Sequence, residues 1–129
     1  MSGRAEVVAL GYELFNRGDW ESTLDGLHED VEWVDHPDLL EADTHRGREA
    51  VREFWRRFFE AWESARMDPE EIVEQGDVVR VRVHFTGHGR VSGLETDFRY
   101  DAFWTFRGGL IARVENRPGE DDPRPTAGR

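Results

Sequence analysis

The hydrophobic period of this chain changes near Pro69, and that change limits the folds open to it. In "REAVREFWRRFFEAWE", residues 48 to 63, Val51, Phe54, Trp55, Phe58 and Trp62 recur at i, i+3, i+4, i+7 and i+11. That spacing is one face of an α-helix, with Arg52, Arg56, Arg57 and Glu60 pointing elsewhere. From Pro69 onward the spacing drops to two. In "DVVRVRVHF", Val79, Val81, Val83 and Phe85 alternate with Arg80, Arg82 and His84, as in a strand with one buried face. Helices followed by a run of antiparallel strands predict an α+β domain in which the helices cover one face of a curved sheet.

The other segments fit this layout. Ala5 to Arg17 reads as an amphipathic helix through Val7, Leu10, Gly11, Leu14 and Phe15, stopped by Gly18. "GDWESTLDGLHEDV" reads as a second short helix with Asp19 as its N-cap. A strand with Val31 and Trp33 follows and ends at Pro37, and residues 38 to 46 read as a polar connection. Two strands flank a turn at Gly76-Asp77, and "TGHGRVSG" connects them to "ETDFRYDAFWTF". That strand turns at Arg107-Gly108-Gly109 into "LIARVEN". Residues 1–117 therefore form one expected domain, with 118–129 a flexible Pro- and Gly-containing tail.

Composition narrows the chemistry. Cysteine is absent and all 17 basic residues are arginine. Thiolate catalysis, disulfides and cysteine–zinc sites are excluded, as are a Schiff-base lysine and a P-loop lysine. The 28 Asp and Glu give a formal net charge of -11, which repels phosphate backbones and anionic lipids. No apolar run approaches the ~20 residues of a membrane span, and the N-terminus shows no signal-peptide pattern. A cytoplasmic protein with neither nucleic-acid nor membrane partners is expected. His84 and His88 are four apart on a strand, which is not a helical zinc spacing, and no GxSxG or GxGxxG occurs; no metal or cofactor is expected.

Within "VEWVDHPD", residues 31 to 38, Val31 and Trp33 share a strand face, and the next residue on that face is Asp35. A carboxylate on an apolar wall is desolvated and becomes a stronger base. Alternatively, Asp35 ends its strand by accepting hydrogen bonds from the following loop, or pairs with Arg46 or Arg48. The aromatic stripe of residues 51 to 62 likewise admits two readings, solid core or cavity lining. Arg80, Arg82 and His84 read either as site residues or as a solvated or subunit-facing surface.

Four pieces in order, "FNRGDWESTLDGLHEDVEWVD", "HRGREAVREFW", "GDVVRVRV" and "FWTFRGGLIARV", resemble the nuclear transport factor 2-like superfamily over residues 5 to 117. That superfamily includes ketosteroid isomerase, the SnoaL-like polyketide cyclases and limonene epoxide hydrolase. The resemblance implies a cone, with a strongly curved, mostly antiparallel sheet wrapped around about three N-terminal helices and a pocket between them. It implies Asp35 as catalytic base, with His36 inserted before Pro37. The two isomerase oxyanion donors are not matched: Tyr12 is one residue out of register, and Ala102 stands where an aspartate is needed, with Asp101 beside it. Against the epoxide hydrolase pattern, Arg82-Val83-His84 offers histidine for aspartate, and Asn116 falls near the other aspartate.

These readings together give a cofactor-independent acid/base enzyme of the isomerase, cyclase or dehydratase type. Its expected substrate is a small hydrophobic carbonyl compound held by Trp33, Phe54, Phe58, Trp62, Arg82, Tyr100, Trp104 and Asn116. Asp35, Tyr12 and His84 are the candidate catalytic residues. The alternatives are a non-catalytic ligand-binding or dimerisation module and an epoxide hydrolase-like enzyme. A homodimer formed through an aromatic sheet face is expected.

Overall fold

The computed structural model describes residues 3–37 and 42–119. In chain order these form α1 (Gly3–Asn16), a 3-10 helix (Trp20–Gly26), β1 (Leu27–Val34), β2 (Thr44–Arg46), α2 (Arg48–Ala61), β3 (Trp62–Gln75), β4 (Val78–Gly89), β5 (Glu95–Arg107) and β6 (Leu110–Pro118). The strands build one curved, unclosed sheet in the order β2-β1-β6-β5-β4-β3. All neighbours pair antiparallel except β1 with β6. The α+β cone is therefore present. No helix among the described residues is long and apolar enough to cross a membrane.

Side-chain alternation assigns the two faces. Val79, Val81, Val83 and Phe85 of β4 lie opposite Trp104, Ala102, Tyr100 and Phe98 of β5. Across β6 the same face continues through Val114 and Asn116, and Val114 pairs with Trp33 of β1. These residues face the helices and, apart from the partly buried Phe98, are buried. The opposite face carries Arg80, Arg82, His84, Arg99, Asp101, Arg113, Glu115 and Arg117. Its one described phenyl ring, Phe103, sits under the Arg117 guanidinium at 4.4 Å. The aromatic outer surface on which the dimer expectation rested is therefore an inner surface.

Several local expectations are corrected. The buried face of α1 is Val8, Tyr12 and Phe15, the i, i+4, i+7 row packed toward β3 and β4, whereas Val7 and Leu10 remain 44% and 50% exposed. The second short helix ends at Gly26, so Leu27 already belongs to β1. The polar connection contains β2, a three-residue strand paired with Glu32, Trp33 and Val34. Helix α2 stops at Ala61, and Trp62 opens β3, well before Pro69. Pro69 is tolerated because β3 is an edge strand, and the register shifts between Pro69 and Glu71. Of the expected tail, Pro118 closes β6 and residues 120–129 lie outside the described residues.

Two polar side chains tie the helices to the sheet. Asn16, the last residue of α1, donates from Nδ2 to the Met67 carbonyl at 2.9 Å, and its Oδ1 accepts the Met67 N–H at 2.8 Å. The amide thus acts as a short extra strand on the β3 edge. At the end of α2, Arg90 donates its backbone N–H to the Ala61 carbonyl and its guanidinium to the carbonyls of Glu60 and Trp62. Those carbonyls would otherwise end the helix unsatisfied.

The Trp62 ring lies directly on Gly87: a Cβ built there would come within 2.8 Å of the indole and 3.0 Å of Phe85. Gly87→Ala is therefore expected to destabilise the fold by about 1–3 kcal/mol through overpacking. Denaturant unfolding followed by tryptophan fluorescence measures this, and an unchanged midpoint would contradict the packing described.

Candidate active site

Asp35 lies just past β1, and backbone pairing carries its environment. Its N–H donates to the Asp43 carbonyl at 3.0 Å, extending the β1–β2 pairing beyond the last regular strand residue. The Asp43 N–H returns to Asp35 Oδ2 at 3.2 Å. On β2, His45 pairs with Trp33, so its side chain falls on the inner face, diagonal to Asp35. The imidazole Nε2 meets Asp35 Oδ2 at 2.9 Å. With Asp35 ionised, that nitrogen carries the proton and donates it. Oδ2 therefore has two partners, whereas the buried Oδ1 has no hydrogen-bond partner among the described residues. The alternative of pairing with Arg46 or Arg48 does not occur: Arg46 binds Glu32, and Arg48 binds the Leu27 carbonyl.

Aromatic rings form a collar that begins and ends at this carboxylate. His45 lies on Phe54 with centroids 4.5 Å apart, and Phe54 leads to Phe58 at 6.0 Å. Phe58 meets Phe85 at 6.1 Å, and Phe85 meets Phe98 at 5.4 Å. Phe98 meets His36 at 5.6 Å, and His36 is next to Asp35 in the chain. Tyr100 closes behind Phe98 and His36. The described collar carries a single carboxylate.

Burial sets the acidity of this group. Loss of water raises the Asp35 carboxyl above its ordinary value, and the nearby Asp43 carboxylate adds to the rise. The His45 hydrogen bond and charge, with the Asp43 N–H, oppose it without cancelling it. Two buried phenols move the other way relative to neutrality. Burial pushes Tyr12 well above the usual phenol value, Tyr100 adds to that, and the Trp104 hydrogen bond lowers it somewhat. Burial also raises Tyr100 strongly.

The residues singled out from sequence separate into three places. Asp35, Phe54, Phe58 and Tyr100 belong to the collar, and Trp62 adjoins it through Phe58 and Phe85. Trp33 and Trp104 lie deeper and touch each other at 5.7 Å. Tyr12 is bound to Trp104, whose Nε1–H donates to the phenol oxygen at 3.1 Å. Asn116 spends its amide on the Val34 carbonyl at 2.9 Å, tying β6 to the end of β1 beside Asp35. Arg82 and His84 are corrections. Strand alternation puts both on the outer face, where His84 Nε2 meets Asp97 at 2.7 Å, so neither shares a space with Asp35. Ala102 faces inward and Asp101 outward. Asp101 is buried there, with the Arg80 guanidinium 4.0 Å away.

Sequence reasoning missed His45, His36, Phe85 and Phe98 as neighbours of Asp35. The signal for His45 lay in "THR", a period-two triplet too short to read as a strand. A separate cavity of about 190 Å³ lies between α1, the 3-10 helix and the sheet, lined by Leu10, Leu14, Phe15, Trp33, Trp55 and Trp104 among others. Asp35 is not in its wall. Trp33, packed on Trp55 at 5.0 Å, stands between the two regions. Among the described residues no three His, Asp or Glu side chains group as metal ligands would.

A model of the SnoaL-like domain matches residues 8–114, and the protein belongs to that family. An NTF2-like protein of unknown function from Burkholderia pseudomallei shares 28% identity and a TM-score of 0.81 over 90% of each chain. TerC, co-crystallised with polyporic acid, shares 30% identity and a TM-score of 0.77, covering 89% of this chain and 90% of TerC. A candidate polyketide cyclase from Xanthomonas campestris pv. campestris shares 30% identity and a TM-score of 0.71, covering 88% of this chain and 89% of its own. A search of curated proteins finds no match.

The acidity of Asp35 has a consequence for stability. A folded-state value above the unfolded one means the native state holds the proton more tightly. The contribution is full below the unfolded value and is lost as pH rises through the folded one. Asp35→Asn should remove this loss, so its Tm advantage over the parent grows from acidic to neutral pH. Calorimetry across that range checks it; a gap independent of pH would show that Asp35 titrates normally.

Proposed function

We propose that the protein is a cofactor-independent cytoplasmic enzyme that moves a proton next to the carbonyl of a small hydrophobic molecule, with Asp35 as the base. The observation that carries this is the Oδ1 of a buried carboxylate inside an aromatic collar, which has no partner among the described residues. A desolvated carboxylate with one free oxygen is a stronger base than one in water, and its direction is fixed by the bonds on the other oxygen. Abstraction breaks a C–H bond α to the carbonyl, and the electron pair moves into an enolate. The buried phenols stay protonated, which suits Tyr100, and Tyr12 behind it, to stabilise the enolate oxygen. The proton then returns at another carbon in an isomerisation, or the enolate attacks an internal carbonyl in a cyclisation.

The relatives support a small organic ligand. TerC is crystallised with polyporic acid, and the Xanthomonas protein is a candidate polyketide cyclase. A second reading, a non-catalytic binding module, draws on the apolar cavity remote from Asp35. Turnover separates the two.

The probe is 3-cyclohexen-1-one, which isomerises to the conjugated 2-cyclohexen-1-one by loss of a C2 proton and return of a proton at C4. The wild type is expected to accelerate this, followed by ultraviolet absorbance, and Asp35→Asn to lower kcat/KM by roughly 10²- to 10⁴-fold. Equal rates in the two would remove Asp35 from the mechanism.

A homodimer is proposed through the outer sheet face, where Arg80, Arg113 and Arg117 alternate with Glu32, Glu71 and Glu115 and a twofold axis would set opposite charges together. Light scattering at micromolar concentration should give twice the chain mass, and a monomer there would exclude it.

A further inference from the structure

Asp35 must recover its charge after each proton it takes, a requirement that rests on the function just proposed. The Asp35 side chain is 2% exposed, and the histidine bonded to it is 13% exposed. His45 sits on β2, at the edge of the sheet, whereas Asp35 is enclosed by rings. Its ring packs on Phe54 at a 33° tilt, with Nε2 held on Oδ2. The other polar neighbour, the Asp43 N–H, is a backbone amide and carries no exchangeable charge. The Asp43 carboxylate is itself engaged by the Thr44 N–H at 2.7 Å. The His36 ring lies against Phe98 and Tyr100, on the aromatic side of the collar.

We propose that His45 is the gateway through which Asp35 exchanges its proton with water. His45 then decides whether a proton taken from the substrate goes back to the same molecule or is lost to solvent. The step balances without any co-reactant except water. Once Asp35 is protonated, Nδ1 takes a proton from water and Nε2 gives its own back to water, which moves the imidazole proton to Nδ1; the carboxyl O–H bond then breaks and Nε2 gains the proton. The Nδ1–H bond then breaks to water, leaving Asp35 ionised and Nε2–H donating to it. A half-turn of the carboxyl group, a soft torsion, presents either oxygen to Nε2. The reverse path brings a solvent proton in. His45 acts through Asp35 and is a positioning and relay residue, not the base.

The discriminating variant is His45→Gln, whose side-chain amide can still donate to Oδ2 but cannot pass a proton along. Isomerisation of 3-cyclohexen-1-one is run in D2O, and deuterium at C4 of the product is measured by NMR, corrected for the uncatalysed reaction. The wild type should deliver mostly solvent deuterium. His45→Gln should deliver severalfold less, whatever happens to its rate, because the label content is a partition ratio. Loss of packing alone would lower turnover, and any slowing of proton return would raise the deuterium content rather than lower it. Equal deuterium in both proteins overturns the gateway.

A second readout needs no turnover. The 13Cγ resonance of Asp35, titrated by pH, should be a single averaged signal in the wild type and broadened or split in His45→Gln, where exchange is slow. Averaged signals in both would overturn the gateway as well. A wild type that leaves the ketone untouched counts against the proposed function alone, and the carbon titration still decides the role of His45.

Discussion

A carboxylate held in the apolar interior by two donors on one oxygen is the constraint around which this structure is arranged. An ionised carboxylate has about four acceptor sites, and Asp35 fills two of them, both on Oδ2. Leaving Oδ1 empty costs free energy in proportion to its desolvation, on the order of 1–3 kcal/mol for an unsatisfied buried group. The surrounding packing must offset that cost. Val31, Val51, Val79, Val81, Val83 and Val114 are completely buried, and the α2 rings Phe54 and Phe58 pack on into Trp62 at the start of β3. The core is densely packed beside this group.

The sheet keeps this chemistry on one side. Period-two alternation sends every second residue of β4 and β5 to the interior, and a one-residue slip would replace Tyr100 by Asp101 and Val83 by His84. The register is fixed at both edges. Asn16 closes the exposed backbone of β3 at Met67, and β2 gives the β1 edge a partner for the three residues before Asp35. The outer face then carries the paired charges, including Arg99 with Glu70 and Arg113 with Glu32. Such exposed pairs add little stability each.

How much of this could be read from the sequence depended on the length over which each pattern ran. Helix α2 and strand β4 repeat their period for twelve residues or more, long enough to decide both element and face, whereas the equally long β5 decides only the element. Asp35 was visible because it broke a pattern already established by Val31 and Trp33. His45 was not, because a three-residue strand has no period to detect and gains its identity only by pairing with β1. The face of α1 was misjudged for a related reason. Its apolar residues surround most of the helix, so the contact with β3 and β4, not the sequence spacing, selects Val8, Tyr12 and Phe15. The aromatic alternation of β5 gave a face but not a direction, and only the helices packed above it show that Phe103 is the outward ring.

One physical cause serves two opposite chemical ends in this interior. Burial disfavours charge, so it raises the pKa of any acid it encloses. For Asp35 the rise starts from the carboxylate range and moves toward neutrality, which makes its charged form a better base while leaving it accessible. For Tyr12 and Tyr100 the rise starts from the phenol range and moves away from neutrality, which fixes both as neutral hydrogen-bond donors. Between the two ranges the interior holds one acceptor that can take a proton and two donors that cannot lose theirs. That division needs no cofactor and no lysine, and it follows from placing the three oxygens within one apolar core. The fold alone does not confer it. The side chains at positions 12, 35, 45 and 100 of this chain do.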